Sequence, residues 1–266
     1  MREDNLQPLV SIIMNCHNGA KFISQSIESI LKQNYKNWEL IFFDNASTDE
    51  SLSIVESFND IRIKIFKSKD FLNLYDARNQ ALKKIEGYYV SFLDTDDLWE
   101  KDLLQKQVEY LSNNLNFKMV YSNFYILEEK KNKKIIRFKS PLKEGKIIKD
   151  LIKSYTVAIL TSCVKADVLK TIKFNKNYNV IGDFDFFIKL SEENEIGYIH
   201  EPLASYRMHD NNYSKENLKT YIMELNSWMK DNRSFYKNKN ISLFFLKLYV
   251  LKLRIKFIFN QIFRVK

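Results

Sequence analysis

The sequence predicts an α/β fold: a mostly parallel central sheet flanked by helices, then a basic helical extension. Three observations carry this. Short apolar runs alternate with amphipathic helical stripes through the first half of the chain, with short links. Polar clusters follow three of those runs, Asn15–Gly19, Asp44–Asp49 and Asp94–Asp97. Residues 232–266 contain no acidic residue.

The elements follow in order. Leu9–Met14 reads as a buried strand, and Phe22, Ile23, Ile27, Ile30 and Leu31 fall on one helical stripe. Trp38–Phe43 is a second strand, ending at Asp44. Ser47, Thr48 and Asp49 are N-cap types expected to open a helix over Glu50–Phe58. Ile61, Ile63 and Ile65 alternate with Arg62 and Lys64, a half-buried strand. A helix is expected over Leu74–Ile85, stopped by Gly87, then a strand over Tyr88–Leu93 and a helix from about Lys101 to Leu111. In the second half, Phe117–Leu127 reads as a strand, Glu128–Lys134 as a charged turn and Ile135–Phe138 as a hairpin return. Asp183–Leu190 reads as a helix and Ile196–Met208 as extended. Beyond about Asn211 the chain turns helical. In a parallel sheet the ligand site lies beyond the carboxyl ends of the strands. The three polar clusters therefore converge on one rim.

Composition narrows the function. The 266 residues are 45% hydrophobic and 14% aromatic, which excludes a disordered chain. Two cysteines, Cys16 and Cys163, exclude a disulfide framework or a Cys-rich zinc module. Five scattered glycines leave neither a Rossmann fingerprint nor a P-loop. The net charge is +9, and nine Lys and Arg after Asp231 account for all of it. A neutral body argues against nucleic acid, and a basic, apolar tail points to a membrane surface or a partner. No signal peptide opens the chain, and no run approaches the roughly 20 apolar residues that span a bilayer. A cytoplasmic enzyme is expected, peripheral on the inner face of the cell membrane, with both thiols reduced.

Two D-x-D spacings occur, Asp94-x-Asp96 and Asp183-x-Asp185. Paired carboxylates suit a hard divalent cation and the phosphates it neutralises. The first pair ends a strand, where acids project into a cleft. The second opens a helix, where acids also favour the dipole, and Asp185 reads as structural or helix-capping. Val10-Ser-Ile-Ile-Met-Asn-Cys-His-Asn-Gly19 resembles the opening strand and loop of family 2 glycosyltransferases. Five further segments resemble motifs of that family, in its order: Phe43-Asp-Asn-Ala-Ser-Thr-Asp49, Ala77-Arg-Asn79, Phe92-Leu-Asp-Thr-Asp-Asp97, Gly182-Asp-Phe-Asp-Phe-Phe-Ile188 and Tyr206-Arg-Met-His209. The resemblance covers about residues 9–215. It departs from the family pattern at Asn45, Ala46 and Gly182, where Asp, Gly and Glu are usual.

The resemblance implies a GT-A-like fold, with residues 1–97 as the nucleotide-sugar-binding half, 98–215 as the acceptor-binding half and 216–266 as the extension. It implies that Cys16 and His17 line the nucleobase pocket, that Asp44 binds the base with Asn45 beside it, and that Arg78 faces the diphosphate or ribose. Asp94 would contact the ribose or the metal, with Thr95 beside it in the donor site. Asp96 would be the main metal ligand, His209 a further one, Arg207 a phosphate contact and Asp183 the general base. Mn²⁺ or Mg²⁺ suits such oxygen-rich ligation. The reading is therefore a metal-dependent inverting glycosyltransferase. It would use a nucleotide-sugar donor, UDP-linked, and a hydroxyl of a glycan or lipid-linked acceptor, as in surface polysaccharide assembly. A homo-oligomer is compatible with the sequence. The competing readings are a sugar-nucleotide nucleotidyltransferase and a non-catalytic membrane- or glycan-binding module. For residues 241–263 two readings stand together: an apolar side packed on the body, and an interfacial membrane helix.

Overall fold

The computed structural model of the chain describes residues 7–131, 133–209, 213 and 217–263. The opening residues before Gln7, the start of the expected C-terminal helical region near Asn211, and Arg264 and Lys266 of the basic tail lie outside the described residues.

The first half alternates strand and helix as expected: β1 (Val10–Cys16), α1 (Ile23–Leu31), β2 (Trp38–Asp44), α2 (Ser51–Glu56), β3 (Ile63–Lys67), α3 (Leu74–Leu82) and β4 (Tyr89–Phe92). A two-residue β5 (Leu98–Trp99) and α4 (Leu103–Asn113) follow. The second half supplies β6 (Phe117–Glu128), β7 (Lys133–Ile136), α5 (Ile148–Lys153), β8 (Ser162–Lys165), α6 (Gly182–Glu193) and β9 (Glu195–Met208). Three helices close the chain: α7 (Leu218–Asp231), α8 (Arg233–Asn238) and α9 (Phe244–Phe263).

All nine described strands join one sheet, in the order β3-β2-β1-β4-β8-β6-β9-β5, with β7 paired to β6. The strands β3, β2, β1 and β4 are mutually parallel. Beyond β4 the sheet is mixed: β8 runs antiparallel to β4 and β6, and β9 parallel to β6. The parallel expectation thus describes the first half. Long-range pairing of the short β8 with β4 decides the rest, and four residues carry too little pattern to announce it.

Alternation along the strands buries both sheet faces. Val10, Ile12, Met14, Leu40 and Phe42 pack with Ile23, Ile27 and Ile30 of α1 and Leu103, Leu104 and Val108 of α4. Ile13, Ile41, Phe43, Val90 and Phe92 face α3, α5, α6 and α7. Ile61 is 97% exposed and precedes β3, so the expected alternation begins only at Ile63. The helix α3 ends at Leu82, before Gly87. Gly87 instead lets the chain pass against β1, where a Cβ would lie 2.6 Å from the Ser11 backbone nitrogen.

Candidate active site

The rim is built by register. Cys16 at the end of β1 lies opposite Asp44 at the end of β2, and Leu93 after β4 donates its N–H to Ile13 O at 3.0 Å. The first two loops are stitched together. Asn18 N donates to Ser47 Oγ, Gly19 N to Ser51 Oγ, Ala20 N to Asp49 Oδ2 and Thr48 N to Asn18 Oδ1. The cap-type residues Ser47 and Asp49 therefore spend side-chain oxygens on the neighbouring loop. The N-cap position of α2 is Glu50, which makes no side-chain cap. Asp49 does accept Ser51 N at 3.0 Å, so part of the expected capping survives.

At the ends of β1 and β2, Asp44 is 5% exposed and its Oδ1 has no hydrogen-bond partner among the described residues. The same holds for both polar atoms of Asn15. Buried polar atoms rarely stay unpaired in a native structure, so this cluster is shaped for a ligand's polar edge. Sequence reading named Asp44 and passed over Asn15. Cys16 is buried, and burial raises its thiol above the ordinary value, as for a pocket-wall thiol. His17 points the other way, its ring 4.5 Å from that of Phe71. Asn45 binds the Leu72 backbone in both directions, Nδ2 to the carbonyl at 2.8 Å and Oδ1 from the N–H at 2.9 Å. Its amide thus fixes the 68–73 segment beside the pocket.

Arg78 is drawn inward. Its guanidinium is 2% exposed and lies between two carboxylates, donating to Asp183 Oδ1 at 2.6 Å and Asp94 Oδ1 at 2.8 Å. It joins the Asp94 loop to α6, with a carboxylate on each of its two terminal nitrogens. Burial opposes its charge, but Asp183 and Asp94 hold its pKa above the usual value. Burial, opposed by Arg78 and aided by Asp94, raises the Asp183 carboxyl to about 6. Asp94 is likewise raised by burial against Arg78.

Asp183 opens α6, and two neighbours set its position. A Cβ at Gly182 would lie 2.5 Å from the ring of Tyr75, so glycine here admits the Tyr75 ring. Glu224 of α7 accepts the N–H groups of Asn179, Val180 and Ile181 at 2.6, 2.9 and 3.1 Å, capping the approach to α6 from another helix. Asp185 is buried, accepts from Trp228 Nε1 at 3.0 Å and Lys189 Nζ at 2.7 Å, and is structural as expected.

Arg207 is also drawn inward. Its Nε donates to Asp96 O at 2.8 Å, Nη2 donates to Gln25 Oε1 at 2.7 Å, and its backbone N–H donates to Asp97 Oδ1 at 2.9 Å. With the side chain 5% exposed, it holds the Asp94–Asp97 loop in shape in place of the expected phosphate contact. Asp97 went unread in the sequence. Burial, then Asp96 and Asp94, push its carboxyl well above the usual range.

Asp96 and His209 meet: Asp96 Oδ2 and His209 Nε2 are 2.8 Å apart. Both line a cavity of about 490 Å³ with His17, Gly19, Phe22 and Thr95. No group of three His, Cys, Asp or Glu side chains gathers as a metal site among the described residues. An oxygen and an imidazole nitrogen converging on one cavity wall nevertheless suit a divalent ion that takes its remaining ligands from donor phosphates and water.

Known proteins share this family and fold. Residues 11–166 match the family model described as glycosyl transferase family 2. The Escherichia coli UDP-Glc:alpha-D-GlcNAc-diphosphoundecaprenol beta-1,3-glucosyltransferase WfgD is 32% identical over 209 residues, 77% of this chain and 79% of that protein. The structure resembles Staphylococcus aureus TarS in complex with UDP-GlcNAc, with TM-score 0.65, 18% identity and coverage of 83% of this chain and 66% of that one. It also resembles the mannosyltransferase PcManGT from Pyrobaculum calidifontis in complex with GDP-Man and Mn²⁺, with TM-score 0.63, 17% identity and coverage of 86% and 65%. A GT-A sheet, a rim of acids at its strand ends and a family match over more than half the length lead to one conclusion: the chain belongs to glycosyltransferase family 2.

Proposed function

We propose that this glycosyltransferase moves a sugar from a UDP-linked donor to a hydroxyl of a lipid-linked glycan, inverting the anomeric centre with the help of Mn²⁺ or Mg²⁺. The observation that carries the reading is the Asp94–Arg78–Asp183 bridge, which holds a carboxyl with a pKa of about 6 beside the donor rim. Near neutral pH that carboxyl is mostly ionised yet basic enough to accept a proton. Asp183 takes the proton of the acceptor hydroxyl as its oxygen bonds to the anomeric carbon. The bond from that carbon to the diphosphate oxygen breaks, and the nucleoside diphosphate leaves with the electron pair. One base and one in-line displacement give inversion, with no covalent intermediate.

The remaining residues bind and orient. Asp44 Oδ1 and Asn15 present unpaired polar atoms to a base edge beside Cys16, and His17 and Thr95 line the cavity next to it. Asn45 holds the Leu72 segment, and Arg207 keeps Asp94, Thr95 and Asp96 on the rim. A divalent ion held by Asp96 and His209 would supply positive charge for the departing diphosphate. UDP-Glc and an undecaprenol-linked acceptor in the name of WfgD, and the UDP-GlcNAc and Mn²⁺ complexes of the structural neighbours, support the donor, acceptor and metal classes. In this reading residues before 98 bind the donor, residues 98–215 bind the acceptor, and the enzyme works in surface polysaccharide assembly at the inner membrane face.

The test is turnover of UDP-sugars with Mn²⁺, with and without a lipid-diphosphate sugar acceptor. Turnover suppressed by EDTA and lowered at least about 100-fold by Asp96→Ala supports the reading. No turnover of any UDP-sugar, or unchanged turnover in Asp96→Ala, would falsify it.

A further inference from the structure

The helix α9 is apolar on two opposite sides. Leu246 and Val250 are buried against the body, with Leu253 and Phe257 packed partly beneath them. At about 100° per residue these four fall on one stripe. Phe244, Leu248, Leu251, Ile255 and Ile258 follow the spacing i, i+4, i+7, i+11, i+14 and fall on the stripe about 180° away. All five are exposed, between 38% and 56%. The basic residues occupy the two flanks between the stripes: Lys247 and Arg254 on one side, Lys252 and Lys256 on the other, all exposed.

The first stripe accounts for why α9 stays on the protein. It leaves the second unexplained, because a helix needs only one apolar side to dock on its own fold. We propose that the outer stripe of α9 is an in-plane docking surface for an anionic phospholipid bilayer. The apolar side chains would enter the acyl boundary, and the four basic residues would reach the head groups from both flanks. This rests on the membrane-borne acceptor proposed above only for its purpose, since the surface itself is independent of donor and metal.

Charge decides between occupants. A second copy of the chain meeting this face would bring Lys247, Lys252, Arg254 and Lys256 against their own counterparts, and residues 232–266 hold no acid to pair them. A neutral apolar partner leaves the basic flanks unused. An anionic bilayer satisfies both features, with an acyl boundary for the stripe and phosphates for the flanks. The same charges keep the helix in the plane, since no described helix is long and apolar enough to cross a membrane. Met223 of α7, 61% exposed, borders a small hollow with Ile258 and extends the apolar surface beyond α9. Docking here also suits the site. The helix α9 packs on α7, and α7 caps the approach to α6 through Glu224. Two helix layers correspond to roughly 20 Å between the bilayer-facing helix and the one that carries Asp183.

The experiment is co-sedimentation of the full chain with vesicles of phosphatidylcholine alone and with 30% phosphatidylglycerol added, with no donor or acceptor present. The expected result is binding to the mixed vesicles at least tenfold tighter than to phosphatidylcholine alone. Leu248→Glu with Ile255→Glu should reduce it at least tenfold, and Lys252→Glu with Lys256→Glu should remove the dependence on anionic lipid. Both variants keep the packed stripe, and a thermal melt like that of the wild type checks the fold. Unchanged turnover of UDP-sugar in solution keeps this test separate from the catalytic reading. Binding that is absent, indifferent to phosphatidylglycerol, or unaffected by Leu248→Glu with Ile255→Glu overturns the proposal. So does a dimer in solution that those two substitutions dissociate.

Discussion

The two halves of the rim hold acids in different ways. At one end, Asp44 and Asn15 stand at the ends of adjacent parallel strands with polar atoms left unpaired among the described residues. At the other, Asp183 is tied through Arg78 to Asp94 and set on a helix whose approach is capped from α7. In the proposed reading the first end takes up the donor and the second holds one basic oxygen still. A base must be oriented before it reacts, whereas a binding pocket is completed by what it binds.

That contrast makes separable predictions. The largest effect should come from Asp183→Asn, which keeps a polar group at the bridge but cannot accept the proton. Turnover should fall about 1,000-fold with donor affinity little changed, as steady-state kinetics and donor titration will show. A matching loss of donor affinity would mean that the two halves do not divide the work this way. Arg78→Ala removes the buried cation that two part-exposed carboxylates share, and should lower stability by about 1–3 kcal/mol in urea unfolding.

The pH profile sharpens the same point. With Asp183 at about 6, kcat/KM should fall as pH drops through 6, because the protonated carboxyl cannot act as base. The Arg78 cation lowers that pKa, so Arg78→Lys, which serves two carboxylates from one nitrogen, should move the limb to higher pH. An unmoved limb would assign the titration to another group.

Smaller effects test the packing. Gly182→Ala places a methyl on the Tyr75 ring and should cost about 1–3 kcal/mol. Ala46, with φ of 56°, occupies the left-handed region at the loop where the family usually has glycine. Ala46→Gly should therefore raise stability by about 1 kcal/mol, read as a higher melting temperature.

Much of the donor half was readable because its signals are local. Apolar runs such as Val10–Cys16 and Trp38–Asp44 mark strands, and the acids that follow must emerge at their ends. Asp96 and His209 were paired by motif and do meet at the cavity. The internal partners of the two arginines were not legible for a physical reason. Arg78 and Arg207 carry the right charge for phosphate, but a guanidinium goes to whichever carboxylates and carbonyls packing brings within reach. Asp97, Glu224 and the Tyr75–Gly182 contact were missed because their partners lie far away in sequence. The tail was read as both packed and exposed, and the two stripes of α9 show why both patterns were present.

The alternation of strand and helix in the first half, the polar clusters at three strand ends and the confinement of excess positive charge to the tail follow from sequence, since each is set by residues close together in the chain. The bridge that holds Asp183, the clamp of Arg207 on the Asp94–Asp97 loop and the stripe of α9 left outside are decided only by tertiary structure. Burial and long-range partners fix them, and a buried ionic side chain takes its role from its neighbours more than from its type.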